Sequence, residues 1–289
     1  MEQERIERHI GTVDECEFER MKEPYVTTGY RVGYDVWASV WSALEWHNET
    51  LNIWTHLLGV VAGVCLLCHT YRRVVPSLRS VHAVLPLFVF VPALGSMASS
   101  TLFHVFRAIS EPVYAAMAPF DFLFIALEIV GTQVPLVYYA LYERPALRRR
   151  YFAALALMLA AAVAYIAVPA LILPALRALR TALFVLIAVV AVVARTHARL
   201  TWRTHPAAAQ RVRATAGLAL TAYALALVAV ALYLTRFPER YWPAAFDHTL
   251  QSHILMHVLS MAAETLLWRV MVHDIRAVTA SSVPKNKTN

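Results

Sequence analysis

Long runs of apolar residues, separated by short polar segments, are the main pattern along this chain. A helix needs about 20 apolar residues to cross a bilayer, and several runs reach that length without the polar/apolar alternation of barrel strands. The pattern therefore predicts an all-α membrane protein with seven transmembrane helices. The predicted spans are 51–71, 83–106, 114–141, 151–173, 176–195, 214–235 and 249–272.

A segment just before the first span, residues 33–49, has a different pattern. Its apolar residues recur at the spacing that places them on one stripe of a helix. They are Val36, Trp37, Val40, Trp41 and Leu44. Because tryptophan favours the headgroup region, we predict a short amphipathic helix that lies on the membrane before the first span. Packing of the same helix against the bundle is an equally good interpretation.

Polar segments lie at both ends of the chain, before the amphipathic segment and after the last span. Residues 1–32, which begin MEQERIERHIGTVDECEFER, predict a loosely ordered tail and not a secretory signal peptide. Residues 276–289, which end in ASSVPKNKTN, predict a polar, disordered tail. Residues 50–275 form the predicted seven-helix bundle, and we expect the first span to act as the targeting signal.

The composition agrees with an integral, multi-pass protein of the plasma membrane or an endomembrane. Apolar residues make up 59% of the 289 residues and charged residues 16%, whereas a soluble domain has about 25% charged residues. The net charge of +7 comes mostly from arginines beside the spans. Membrane lipids are therefore the expected partners, and the charge gives no reason to invoke a nucleic acid.

The arginines of the loops predict an orientation, because short cytoplasmic loops carry an excess of Lys and Arg. We call the face that holds the N-terminus side A and the opposite face side B. The loops of side B hold twelve arginines and those of side A hold five. The difference favours a cytosolic C-terminus on side B and an external N-terminus on side A.

Polar side chains inside the spans mark candidate chemistry, because such groups are costly in lipid. Ser100 and His104 lie one turn apart near the end of the second span, and Asp121 lies near the start of the third. His253 and His257, at i and i+4, share one face of the seventh span. The alternating directions of the spans place all five residues on side A at similar depth.

Three histidines near a carboxylate match the requirements of a catalytic zinc site. Neutral imidazoles bind the ion and a fourth position stays open for water, while a nearby carboxylate can orient a ligand. His104, His253 and His257 are the candidate ligands, with Asp121 as the carboxylate. His56, in the first turn of the first span on side A, is a rival ligand that the residues alone leave open.

Several separated motifs occur in one order along the chain. They are TTGYR at 27–31, HNETLNIWTHLLG at 47–59, S-x-x-x-H at 100–104, Asp121, PERYWPAAFD at 238–247 and SHILMHVL at 252–259. This set of motifs resembles the progestin and adipoQ receptor family, which includes the adiponectin receptors and the membrane progestin receptors. The resemblance covers residues 25–275, which is nearly the whole chain.

The resemblance implies a seven-helix bundle with zinc held by His104, His253 and His257 near the membrane surface. The family is also similar to the alkaline ceramidases, which use a serine, an aspartate and three histidines to cleave a lipid amide. That similarity implies that Asp121 acts as a base and that Ser100 lines the site and stabilises an oxyanion.

The resemblance gives the HNETLNIWTH stretch a structural role. It implies that its polar residues form a hydrogen-bonding clamp that ties the interfacial helix and the first span to the bundle near the site. The clamp residues are His47, Asn48, Glu49 and His56. On this interpretation His56 is not a zinc ligand.

Three functional hypotheses follow from the sequence. The chain is a signalling receptor whose ligand is a lipid, a steroid or an adipokine-like protein; or a zinc-dependent amidase that acts on ceramide-like lipids; or a protein in which zinc only staples spans two, three and seven. The first two are compatible in one molecule. The similarity to adiponectin receptors implies a cytosolic N-terminus, whereas the arginine count favours an external one. We follow the arginine count.

Overall fold

The computed structural model describes residues 7–75, 77, 80–168, 176–201 and 203–282. Within these residues seven helices are long and apolar enough to cross a membrane, which confirms the predicted fold class. Numbered along the chain, they are α2 (Thr50–Arg73), α3 (Val81–Phe106), α4 (Glu111–Ala140), α5 (Pro145–Ile166), α6 (Arg177–Leu200), α8 (Ala216–Thr235) and α9 (Ser252–Ser282). Two shorter helices are α1 (Val36–Ser42) and α7 (Pro206–Ala214).

Polar caps decide where two of the spans begin. α4 starts at Glu111, three residues before its predicted start, because Ser110 accepts a hydrogen bond from the backbone N–H of Val113 at 3.3 Å. α9 starts at Ser252, three residues after its predicted start, where the buried Glu239 accepts a hydrogen bond from the Ser252 backbone N–H at 2.8 Å. Both caps lie on side A.

The fourth span is shifted towards the N-terminus relative to its prediction. It was expected over 151–173, whereas the observed helix runs over Pro145–Ile166 and so includes the arginines before Tyr151. Proline is favourable in the first turn of a helix, where its missing N–H leaves no hydrogen bond unmade. Residues 169–173 of the predicted span lie outside the described residues.

Small residues let the spans approach closely, which matters because helices in lipid associate through packing and hydrogen bonds. A Cβ atom on Gly131 of α4 would lie 2.0 Å from the carbonyl oxygen of Phe88 in α3, so only glycine fits there. Elsewhere, Ala162 of α5, Ala191 of α6 and Ala222 of α8 are fully buried in one core cluster. The close approach at Gly131 holds α3 and α4, which carry candidate site residues, in a fixed relation.

The N-terminal segment contains secondary structure, so the prediction of a loosely ordered tail is wrong for residues 7–32. Strand β1 (His9–Thr12) pairs antiparallel with strand β2 (Thr28–Val32). A short 3-10 helix, Glu19–Met21, lies between them. The polar composition misled because the segment takes its order from contacts with the bundle.

A small apolar core makes that contact. Cys16, Met21, Val26 and Tyr30 pack with Ala108, which lies in the turn after α3. All five are at least nine-tenths buried. Burial of apolar surface against the bundle therefore orders a segment whose own sequence is mostly polar.

Helix α1 presents its apolar stripe away from the protein. Ser39 and Ser42 are fully buried, whereas Trp37, Trp41 and Leu44 are 75%, 64% and 70% exposed. The helix therefore packs against the protein through its serine face, and its apolar stripe faces away from the bundle. A membrane-surface role for residues 33–49 remains a prediction.

The predicted C-terminal tail overlaps the last helix. α9 continues to Ser282, past the predicted boundary at residue 276, because Ile275 and Val278 are buried in the apolar core at side B. The polar segment was therefore set too long. Residues 283–289 lie outside the described part of the chain.

Candidate metal centre

Three histidines from two helices converge at the side A end of the bundle. His104 lies near the end of α3, and His253 and His257 lie in the first turns of α9. One ring nitrogen from each histidine lies within 4.8 Å of the others. The ring centroid of His104 is 5.1 Å from that of His253 and 5.5 Å from that of His257. This group of side chains could hold a metal ion, as the sequence predicted.

The imidazole of His104 is held by Glu49, which immediately precedes α2. Oε2 of Glu49 lies 2.7 Å from Nδ1 of His104, and Oε1 accepts a hydrogen bond from Arg107 at 2.7 Å. Burial alone would raise the pKa of the Glu49 carboxyl, but Arg107 and His104 outweigh it and hold that pKa well below its usual range. The ionised carboxylate has only acceptors, so Nδ1 of His104 must carry the proton.

The imidazole of His257 contacts two residues of α2. Nδ1 of His257 lies 3.1 Å from Oγ1 of Thr55, and the ring of His56 stacks on that of His257 with centroids 3.7 Å apart. His56 is not part of the convergent group of three. Its Nδ1 atom is buried without a hydrogen-bond partner among the described residues.

The predicted catalytic residues lie near the same end of the bundle. Asp121 is buried in α4, and its Oδ1 has no hydrogen-bond partner within the described part of the chain. Ser100 is buried one turn before His104 on α3. The roles of Ser100 and Asp121 at this site stay predictions.

Two residues of the predicted clamp behave as expected. In His47 both ring nitrogens are used, because Nε2 lies 2.9 Å from the Ser42 carbonyl and Nδ1 accepts from the Glu49 backbone N–H at 3.1 Å. Burial, followed by the charge of Arg31, lowers the pKa of His47 to about 3. His47 is therefore a neutral link between α1 and α2, and Glu49 links α2 to α3.

The other two clamp residues contribute differently. The backbone N–H of Asn48 donates to the Gly29 carbonyl at 3.0 Å, so Asn48 joins the N-terminal segment to α2 through its main chain. A Cβ on Gly29, whose φ is +84°, would lie 2.8 Å from that Asn48 nitrogen, which explains the glycine. His56 acts through ring stacking, which the sequence pattern did not predict.

Ion pairs extend from Glu49 into the N-terminal segment. Arg107 contacts Glu23 at 3.2 Å, and Arg236, after α8, contacts the same carboxylate at 2.9 Å. Burial alone would raise the pKa of Glu23, but Arg236 and Arg107 lower it to about 2. One continuous chain of charges therefore links the segment before α1, the end of α3 and the loop before α9.

The remaining motifs hold the N-terminal segment on this surface. Asp247 accepts hydrogen bonds from the backbone N–H groups of Thr27 and Thr28 at 3.1 and 2.7 Å, and from both hydroxyls. Arg31 donates to the carbonyl oxygens of His104 and Val105 at 2.6 and 2.8 Å. TTGYR and the aspartate of PERYWPAAFD are thus partners that hold the N-terminal segment, with strands β1 and β2, beside the histidines.

Sequence reasoning missed two acidic residues inside the spans. Glu264 of α9 accepts a hydrogen bond from Thr132 of α4 at 3.2 Å, and Glu128 of α4 interacts with Glu264 electrostatically. The signal was available, because an ionisable residue within a span marks a candidate site by default.

The fold and the site together define a polytopic membrane protein with a candidate metal centre between two of its spans. Comparison with known proteins then gives the family. Residues 44–268 match the family described as haemolysin-III related. The chain belongs to this family, and its relatives include progestin and adipoQ receptors.

Curated relatives agree with that membership. The chain is 31% identical to Progestin and adipoQ receptor-like protein 1 of Caenorhabditis elegans over 78% of this chain and 50% of that protein. It is 30% identical to Progestin and adipoQ receptor family member 3 of Mus musculus over 82% of this chain and 77% of that protein. It is 25% identical to Heptahelical transmembrane protein 3 of Arabidopsis thaliana over 89% of this chain and 85% of that protein. The chain thus spans half the length of the worm relative.

Proposed function

We propose that this chain is a seven-span receptor that holds one zinc ion on His104, His253 and His257 at the side A face of the membrane. The convergence of three ring nitrogens within 4.8 Å carries the proposal. Zinc commonly takes three protein ligands and leaves a fourth position open in catalytic sites. The residue types fit, because histidine nitrogens are ordinary zinc ligands.

The protonation state of His104 also supports zinc. Its Nδ1 proton is directed to Glu49, so the lone pair of Nε2 is available to an ion. A neutral imidazole is the form that binds a metal, and a carboxylate on the far nitrogen is the usual partner of a ligating histidine.

Signalling in response to a lipid, a steroid or an adipokine-like protein is the receptor function that we propose. The worm and mouse relatives are named progestin and adipoQ receptors, which favours a ligand of one of these classes. The position of the histidines at one end of seven apolar helices favours a ligand that arrives through the membrane or at its surface.

Metal content tests the zinc site. We expect about one zinc per purified chain, and we expect the His253→Ala, His257→Ala double variant to lose it. A double variant of two exposed histidines, His69→Ala with His273→Ala, is the matched control and should keep the metal. Wild-type protein that holds no zinc after purification without chelators, and that binds none when zinc is offered, would refute the site.

A second function, hydrolysis of a lipid amide, is favoured by the unpartnered Oδ1 of Asp121. A bound zinc ion would supply a Lewis acid that polarises an acyl carbonyl and makes water more acidic. Asp121 would accept a proton from the attacking water, and Ser100 would donate to the acyl oxygen. As the C–N bond breaks, the proton on Asp121 would pass to the leaving amine, so that the products are a fatty acid and a free amine.

The Asp121→Asn variant distinguishes the enzyme from a structural metal site. General-base catalysis typically contributes about 10²–10⁴-fold to a rate, so the variant should lose that factor in ceramide hydrolysis while it keeps zinc. Glu111→Gln, in the exposed first turn of the same helix, is the control. If wild type and Asp121→Asn hydrolyse equally slowly and signal equally well, zinc only staples the helices.

Orientation is a further part of the proposal. The arginine excess on side B favours an external site and a cytosolic C-terminus. A single cysteine introduced at the exposed Glu17, after replacement of the three native cysteines, should react with a membrane-impermeant thiol reagent in intact cells. Reaction only after permeabilisation would place the site in the cytosol.

A further inference from the structure

Helix α2 supplies none of the three convergent histidines, yet it contacts two of them. Glu49, Asn52 and Thr55 follow each other at intervals of three residues, so they lie along one side of the helix start. Glu49 contacts Nδ1 of His104 at 2.7 Å, and Thr55 contacts Nδ1 of His257 at 3.1 Å. These two histidines belong to different helices, α3 and α9, and α2 lies against both.

Hydrogen-bond chemistry assigns a direction to the Thr55 contact. The Thr55 hydroxyl donates its single proton to the Asn52 carbonyl at 3.1 Å. Its two lone pairs can then only accept, so Nδ1 of His257 is the donor. His257 therefore has the same tautomer as His104, with the proton on Nδ1 and the lone pair on Nε2.

The Glu49 carboxylate is itself fixed in place. Asn52 donates to Oε2 at 2.7 Å, and Arg107 donates to Oε1 at 2.7 Å. Arg107 is anchored in turn by Glu23 of the N-terminal segment at 3.2 Å. The carboxylate therefore has little freedom to follow a movement of the His104 ring, and it orients that ring instead.

We propose that Glu49 and Thr55 are positioning residues, through which α2 sets the tautomer and ring orientation of two metal ligands that it does not itself provide. This inference rests on the proposed zinc site. It gives the HNETLNIWTH stretch a chemical role, because Glu49 and Thr55 of this stretch contact ring nitrogens of two of the histidines. Loss of such contacts typically weakens metal binding by about 10–100-fold.

The first test uses Thr55→Val, which removes the hydroxyl and keeps the shape. The control is Thr265→Val on α9, whose hydroxyl donates to its own helix at the Met261 carbonyl at 2.8 Å. Zinc affinity is measured by competition with a fluorescent chelator on the full-length protein. We expect Thr55→Val to bind about 10-fold more weakly and Thr265→Val to match wild type.

The second test uses Glu49→Gln beside Glu45→Gln, a control in the same polar stretch whose carboxylate contacts Arg8 and Tyr34 at 2.5 Å. We expect about 100-fold weaker zinc binding for Glu49→Gln with one ion still bound per chain at saturation. The visible spectrum of the Co²⁺-substituted protein should shift in Glu49→Gln and not in Glu45→Gln, because the ligand field of His104 changes. A merely structural role for Glu49 would leave that spectrum unchanged.

The outcomes separate this inference from the proposed function. If wild type binds zinc and both Thr55→Val and Glu49→Gln bind it as tightly with an unshifted Co²⁺ spectrum, the positioning role is wrong and the zinc site stands. If wild type binds no zinc, both fail. If Glu49→Gln does not fold, the comparison of Thr55→Val with Thr265→Val decides the matter alone.

Discussion

Buried polar groups occur at both ends of the bundle, and the two ends satisfy them differently. At side B, Arg195 of α6 donates to Asp274 of α9 at 2.8 Å, so two opposite charges neutralise each other within the protein. At side A, His104, His253 and His257 direct ring nitrogens to a common point. These ring nitrogens form no hydrogen bond with one another in the described part of the chain, and a metal ion could satisfy them.

The comparison shows how a buried ion pair that only holds helices together, a polar staple, differs from a metal centre. A staple contains its own counter-charge, and removal of one partner leaves the other buried and unpaired. A metal centre contains convergent acceptors and is completed by an ion from outside. The side A residues Glu49 and Arg107 form a paired set of the first kind, and they lie beside the three histidines that we propose as a set of the second kind.

Breaking the side B pair should have the largest effect on stability. Asp274→Ala leaves Arg195 buried without its carboxylate, which typically costs about 3–5 kcal/mol. Thermal or denaturant unfolding in detergent measures the loss, and zinc content should remain that of wild type. Glu19→Ala, which removes the exposed pair with Lys22, is the control and should have no measurable effect. If Asp274→Ala loses zinc as well as stability, the side B ion pair and the side A histidines are energetically coupled.

The stabilisation that zinc gives should depend on the side A histidines and not on the side B ion pair. At a free zinc concentration 100 times its Kd, binding to the native state adds about 2.7 kcal/mol to the free energy of unfolding. Unfolding with and without a chelator measures this difference. The His253→Ala, His257→Ala variant should show none of it, whereas Asp274→Ala should show all of it. An equal response in the double variant would mean that the ion binds elsewhere.

A pH titration sharpens the role of His47. Its pKa is about 3 in the native state and close to 6.5 in an unfolded chain. The unfolded state therefore binds the proton first, so the stability is complete above about pH 6.5 and declines as the pH falls towards 3. At pH 5.5 the loss from this group is about 1.4 kcal/mol.

The His47→Gln variant isolates that contribution. With a chelator present, so that zinc release does not contribute, wild type should lose more stability between pH 7.5 and 5.5 than the variant. The difference between the two pH slopes, rather than either slope alone, reports on His47, since the other histidines titrate in both proteins. Parallel slopes would show that His47 is not buried as a neutral group.

The smallest effect is expected at α1. Trp37 and Trp41 are more than half exposed, so their replacement by alanine should change the free energy of unfolding in detergent by no more than about 0.5 kcal/mol. Quenching of tryptophan fluorescence by brominated lipids should fall in the double variant if α1 lies on the membrane. A loss of several kcal/mol would show that this face packs against protein.

Local periodicity explains which parts of the fold could be predicted. Seven runs of apolar residues were enough to find seven helices, because a span must satisfy its backbone within itself. The pairing of His253 with His257 followed from their spacing alone, and their centroids lie 4.6 Å apart. The order in residues 7–32 was not predictable in this way, because that segment is held by Asp247 and Ala108, which are distant in the sequence.

The sequence by itself determined the helices, their alternating directions and the end of the bundle at which the histidines lie, since each depends on composition and length. Only the tertiary structure decided that His56 stacks on His257 outside the convergent group, and that Glu49 holds His104. Those outcomes depend on the rotation of each helix about its axis. That rotation is set by close contacts such as Gly131 against Phe88, which no single helix encodes.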